Sequence, residues 1–266
     1  MLININCKVN DFVRYLHPFF KYRGYRGIAY YKIMKNKKST VLGISVRYFV
    51  ATLGLVFVAI GVALSIKSDL GTAPISCPTY VVNLWNAKFT VGEYTIMLHL
   101  TFILSQILML GKKFKVQYLM QIPAAVVFGL LTDGAIAISD MIFSKLPALT
   151  YTYKMGLCIL TVIVTALGIS LEVIGNAWML AGEQTVAAIS QTFKVKFNNA
   201  KIGFDIFLVI LSGAFALIMF GNPWGKGDNM VIREGTLILA LFTGLCMKLT
   251  DPIAKKLFGK LLSKYE

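Results

Sequence analysis

The sequence predicts an all-α polytopic membrane protein. About six transmembrane helices are expected as two inverted three-helix repeats, each with a short re-entrant or interfacial helix. Three observations lead there. Of 266 residues, 57% are hydrophobic and only 15% charged, against about 25% charged in a soluble domain. Several apolar runs approach the ~20 residues that cross ~30 Å of hydrocarbon at ~1.5 Å per residue. Lysine and arginine are also distributed unevenly among the connections between those runs.

The spans are expected at 46–66, 91–111, 117–142, 155–176, 202–221 and 233–250. The first ends in "SIKSDLGTAPIS" (Ser65–Ser76), where Lys67, Asp69, Gly71 and Pro74 interrupt the apolar run. The 16 residues from Gly71 to Asn86 are apolar but too few for a relaxed crossing, so they form the first short helix. A second such segment, "AGEQTVAAISQTF", separates the fourth and fifth spans. These elements give a basic segment at 1–45, a first repeat at 46–143, a second at 153–250 and a basic tail at 251–266. Residues 1–33 are either an interfacial extension or an upstream mis-start.

With the N-terminus inside, segments 1–47, 111–116, 177–201 and 248–266 hold 21 of the 27 lysines and arginines. That bias fits six crossings with both ends cytoplasmic in the cell membrane. It also accounts for the net charge of +15 without a nucleic-acid partner. In the tail, Ile253, Leu257, Phe258, Leu261, Leu262 and Tyr265 form a stripe between lysines, with Asp251 before Pro252 as a helix start. This pattern suits an interfacial helix on anionic lipid.

The two halves share one order: long helix, short segment, long helix, long helix. An offset of 107 places Gly61 on Gly168, Leu64 on Leu171, Asp69 on Asn176, Pro74 on Ala181 and Ser76 on Glu183. Three crossings per half would invert one half relative to the other, a plan known among transporters.

"RYFVATLGLVFVAIGVALSIKSDLGTAPIS", "LGISLEVIGNAWMLAGEQTVAAIS", "KIGFD" and "VIREGTLILALFTG" together resemble the YczE-like bacterial membrane proteins, related to the YitT group. The resemblance covers roughly 44–250 and implies fold and location, with little about activity. One departure is Ala181, where that family tends to have proline.

Polar residues inside apolar spans are the candidate site, because a charge at mid-bilayer costs ~2.5–3.5 kcal/mol on insertion scales and usually faces a partner or water. Lys67 and Asp69 either snorkel at the outer interface or form a polar mouth. In the second case Gly71 and Pro74 start a re-entrant helix whose N–H groups favour an anion, with Ser76 as its cap or as a ligand contact. Glu172 and Asn176 share a helix face. Glu183 and Gln184 open the second short helix, as capping groups or with Glu172 as a cation or proton site. His99 is either a core residue or the counterpart of Asp205, which pairs with Lys201 at i, i+4. Asp133 is expected to pair with Lys67 or Arg233, and Arg233–Glu234 opens the last span.

Four cysteines without a CxxC pair and two histidines give no zinc pattern, and no cofactor is expected. The chain lacks phosphate-loop, HExxH and GxSxG motifs, and no enzyme activity is expected. Permease-like secondary transport of a small solute is the leading function. A non-transporting scaffold or accessory subunit is the alternative.

Overall fold

The computed structural model describes residues 41–264, apart from 112, 113, 115, 148, 149, 176, 196 and 228. Most of the basic N-terminal segment, Asn176 and Tyr265 therefore lie outside the described residues.

Among the described residues, eight α-helices follow one another: α1 (Val41–Ser68), α2 (Cys77–Trp85), α3 (Val91–Leu110), α4 (Gln121–Phe143), α5 (Tyr151–Gly175), α6 (Ala181–Phe193), α7 (Phe197–Phe220) and α8 (Glu234–Lys264). A 3-10 turn, Val116–Met120, leads into α4. A small antiparallel hairpin, Gly225–Lys226 against Asn229–Met230, precedes α8 and was not foreseen. All of these helices but α2 and α6 are long and apolar enough to cross a membrane, which makes six candidate spans among the described residues. Their outer faces expose large apolar side chains such as Leu108, Leu130, Ile210, Ile218 and Leu249. Water would disfavour so continuous an apolar belt, whereas acyl chains would cover it.

Local chemistry sets the ends. Asp69 and Gly71 take positive φ, 51° and 102°, and turn the chain out of α1. Thr90 and Glu93 form a capping box at the start of α3: Thr90 Oγ1 accepts the Glu93 N–H, and Glu93 accepts the Thr90 N–H. α6 ends at Lys194 in the left-handed region.

The middle of the molecule is the α1–α5 crossing. A Cβ on Gly168 would lie 2.7 Å from Val58 Cγ2, and one on Gly54 would lie 2.7 Å from the Gly168 carbonyl. Small residues here let two backbones touch, the main source of helix association where both solvent and side chains are apolar. α8 packs beside α5, and α4 beside α1. The short helices then cross over. α2 packs on α7 through Cys77, Val81 and Ala216, and α6 packs on α3 through Ala181, Val186, Phe102 and Ile103. Each short helix thus lies mainly against a long helix of the other half.

The last helix departs from expectation. The sequence pattern predicts an end at 250, with a new helix starting at Asp251–Pro252. Instead α8 runs unbroken to Lys264 with Pro252 inside it. Asp251 is an interhelical tie: Ser170 Oγ donates to its Oδ1 at 2.7 Å and lies 2.8 Å from Thr250 Oγ1. Beyond the proline, Ala254 and Leu262 are buried against Val50 and Leu171, whereas Ile253, Leu257 and Leu261 stay exposed. The tail is therefore partly core-packed rather than a free surface helix. Neighbouring helices make such an internal proline tolerable in a membrane bundle.

Candidate functional site

The opening segment of the first break is tightly held. Thr72 N–H donates to the Val231 carbonyl at 2.9 Å, and Gly235 N–H donates to the Leu70 carbonyl at 2.8 Å. Leu70 thereby satisfies one free donor in the first turn of α8. A side chain on Gly71 would collide with Thr236 and would stand 2.8 Å from the Arg233 amide. Pro74 is buried behind it.

The expected roles of Ser76 and of the α2 N-terminus are corrected. Ser76 makes no side-chain cap; its Oγ donates to the Ala73 carbonyl at 2.9 Å. The N–H groups of Ser76 and Cys77 both donate to that same carbonyl, and Pro78 has no N–H. Two of the donors expected to attract an anion are therefore already used, and Pro78 removes a third.

The charges of this end pair locally. Lys67 pairs with Asp140, Asp69 with Lys154 at 2.6 Å, and Arg233 with Glu234 at 3.2 Å. Arg233 Nη1 also donates to the Asp69 carbonyl. Asp133 pairs with neither Lys67 nor Arg233, contrary to expectation. Its oxygens accept the Gly92 N–H at 2.7 Å and the Thr90 hydroxyl at 2.6 Å, so it holds the start of α3. A carboxylate at a helix N-terminus meets free N–H groups and the positive end of the dipole.

The second break gathers charge in the interior. Glu172 on α5, Glu183 in the first turn of α6, and Lys201 and Asp205 on α7 are 1%, 3%, 5% and 2% exposed. Glu172 Oε2 accepts the Leu180 N–H at 3.3 Å. Lys201 Nζ donates to Asp205 Oδ1 at 2.7 Å and lies 3.9 Å from Glu183 Oε1. Glu172 is within electrostatic reach of both Glu183 and Lys201. Glu172 Oε1 and Glu183 Oε2 are buried without a protein partner. Burial holds the Glu183 carboxyl above its ordinary range, against the pull of Lys201. Gln184 is buried beside Glu183.

The two breaks touch. Ile75 Cδ1 would stand 2.7 Å from a Cβ on Gly182, and the Phe102 ring edge 3.9 Å from it. His99, one turn before Phe102 on α3, is 0% exposed, and neither ring nitrogen has a protein partner. Its ring lies 5.9 Å from Phe102 and 5.6 Å from Phe128, centre to centre.

Sequence reasoning missed a second buried polar tie. Gln106 and Gln121 bond reciprocally at 2.9 and 3.0 Å, and Gln106 Nε2 also reaches the Ala181 carbonyl and Thr185 Oγ1. The signal was available: two glutamines inside apolar spans. The sequence pattern makes Lys201 only Asp205's local partner, because the fold that buries it beside Glu183 is tertiary.

The structure thus brings Glu172, Glu183 and Asp205 together, with Lys201, and leaves His99 beside the contact between the breaks. Lys67, Asp69, Asp133, Arg233 and Glu234 stand apart in local pairs and caps. Among the described residues, no group of three or more His, Cys, Asp and Glu is placed to hold a metal ion.

These features define a multi-pass helical membrane protein with an ionisable cluster buried between its helices. Residues 45–252 match the DUF6198 family, a family of unknown function, and the chain belongs to that family. No curated protein and no solved structure matches the chain.

Proposed function

We propose that this protein is a permease-like secondary transporter of a small solute, built from two inverted halves and resident in the cell membrane with both ends cytoplasmic. The YczE-like relationship belongs to the same proposal, as does the binding of anionic lipid by the basic ends. One observation carries the reading: three carboxylates and one ammonium, each at least 95% buried, meet where a helix is broken. Charges inside a bilayer are costly and mark pathways or coupling sites. In repeat transporters such sites lie at discontinuous helices near the midplane.

The packing supports two related halves. The reciprocal crossing of α2 onto α7 and α6 onto α3 is what a pseudo-two-fold axis through the α1–α5 contact would generate. A Cβ on Gly61 meets Thr165, and one on Gly168 meets Val58. At the offset of 107 these contacts exchange, because Gly61 falls on Gly168 and Val58 on Thr165. Ser65 Oγ accepts the N–H of Ala73, eight residues on, at 3.2 Å, and Glu172 accepts that of Leu180, eight residues on, at 3.3 Å. These pairs too are related by 107.

Purified protein in liposomes is expected to show proton- or sodium-coupled flux for a member of a broad solute panel, and Glu172→Gln to reduce it at least about tenfold, the effect of ~1.4 kcal/mol. Absence of coupled flux across the panel would favour the scaffold reading. Unchanged flux in Glu172→Gln would remove that residue from the mechanism.

A further inference from the structure

The offset of 107 places Ser65 on Glu172 and Ser76 on Glu183. Two of the three serines in the first break thus fall on glutamate in the second, while Ser68 falls on Gly175. The serines complete their bonding locally. Ser65 Oγ donates to the Val62 carbonyl at 2.7 Å and accepts the Ala73 N–H, and Ser76 Oγ donates to the Ala73 carbonyl. Glu172 takes over the first of these tasks by accepting the Leu180 N–H. A hydroxyl is therefore sufficient for that structural role. The glutamates add two further oxygens, Glu172 Oε1 and Glu183 Oε2, which are buried and which no protein group meets.

The charge balance says what they would bind. Lys201 is engaged by Asp205 at 2.7 Å and stands 3.9 Å from Glu183. Two glutamates then share what remains of one ammonium. Like carboxylates in a buried site do not both ionise cheaply. A proton removes one charge and turns one carboxylate oxygen into a hydrogen-bond donor. A metal ion would need a ligand shell that the described residues do not offer.

We propose that Glu172 and Glu183 form a proton-loading site, which takes a proton from water on one side of the membrane and returns it to the other. This rests on the transport reading for its use and names the proton as the coupling ion. The charged and titratable groups on the surrounding elements include Lys201 and Asp205 on α7, Asp251 on α8, Arg47 and Tyr48 on α1, and on α3 the buried His99, whose ring nitrogens have no protein partner. Asp251 is tied to Ser170, and the Arg47 carbonyl lies beside Gly175.

The proton can be observed without knowing the solute. Infrared difference spectra of the full chain in lipid nanodiscs, between neutral and alkaline pH, are expected to show a buried protonated carboxyl band that shifts in heavy water. The band is expected to be lost in Glu172→Gln/Glu183→Gln and to be unaffected by sodium at fixed pH. The pair Glu172→Ser/Glu183→Ser, which gives the second break the residues of the first, is expected to fold and also to lack the band. Absence of the band in the wild type, its survival in either double variant, or its removal by sodium would overturn the proposal. A band without solute flux would keep the proton site and remove transport. Flux without a band would do the reverse.

Discussion

His99 shows how a residue can be legible as a core histidine while its bonding is not: it is fully buried, yet neither ring nitrogen meets a protein partner. Its helical position made it comparable with Asp205, yet the two meet different surroundings. Asp205 has an ammonium at 2.7 Å, whereas His99 has two aromatic rings and no partner for either nitrogen. An unpaired buried polar group costs about 1–3 kcal/mol, and an apolar group of similar shape removes that cost. His99→Phe is therefore expected to leave the melting temperature unchanged or raise it, read by thermal unfolding in detergent. A clear fall would show that the imidazole has a hydrogen-bonding role. Glu172 and Glu183 were readable because acids are rare within apolar segments. That Lys201 joins them was not, because an i, i+4 spacing explains a lysine completely until α6 folds over it.

At the scale of elements, the breaks were legible from length: neither α2, with 9 residues, nor α6, with 13, can cross a bilayer. The end of α8 was not. Asp251–Pro252 has the local form of a helix start, but Ser170 and Thr250 use that level to join α8 to α5, and the helix continues. What fixes α6 was also hidden, since the Gln106–Gln121 pair links residues from two spans to the first turn of a third helix. Gln106→Leu or Gln121→Leu alone leaves one amide buried and under-bonded, and each is expected to destabilise by about 1–3 kcal/mol. The double variant is expected to cost less than the sum, with a coupling of about 0.5–2 kcal/mol. Additive losses in equilibrium unfolding would show that the two amides act independently.

For the whole molecule, six candidate spans in sequence order alternate between two ends of the bundle, and the polar contacts group by those ends. Lys67–Asp140, Asp69–Lys154 and Arg233–Asp69 join helix ends at one end of the bundle. Gln106–Gln121 and Ser170–Asp251 join helix ends at the other. Between them the two breaks touch at Ile75 and Gly182. If the halves rock about that contact, a buried residue of the break must meet water first from one side and then from the other. Ser76 is 2% exposed, and its replacement by cysteine is nearly isosteric. The most direct measurement is the labelling of Ser76→Cys, in a chain whose native cysteines are replaced, by a membrane-impermeant thiol reagent applied to right-side-out and then to inside-out vesicles. Labelling from both sides is the predicted result. Labelling from one side alone, or from neither while the denatured protein reacts, would contradict it.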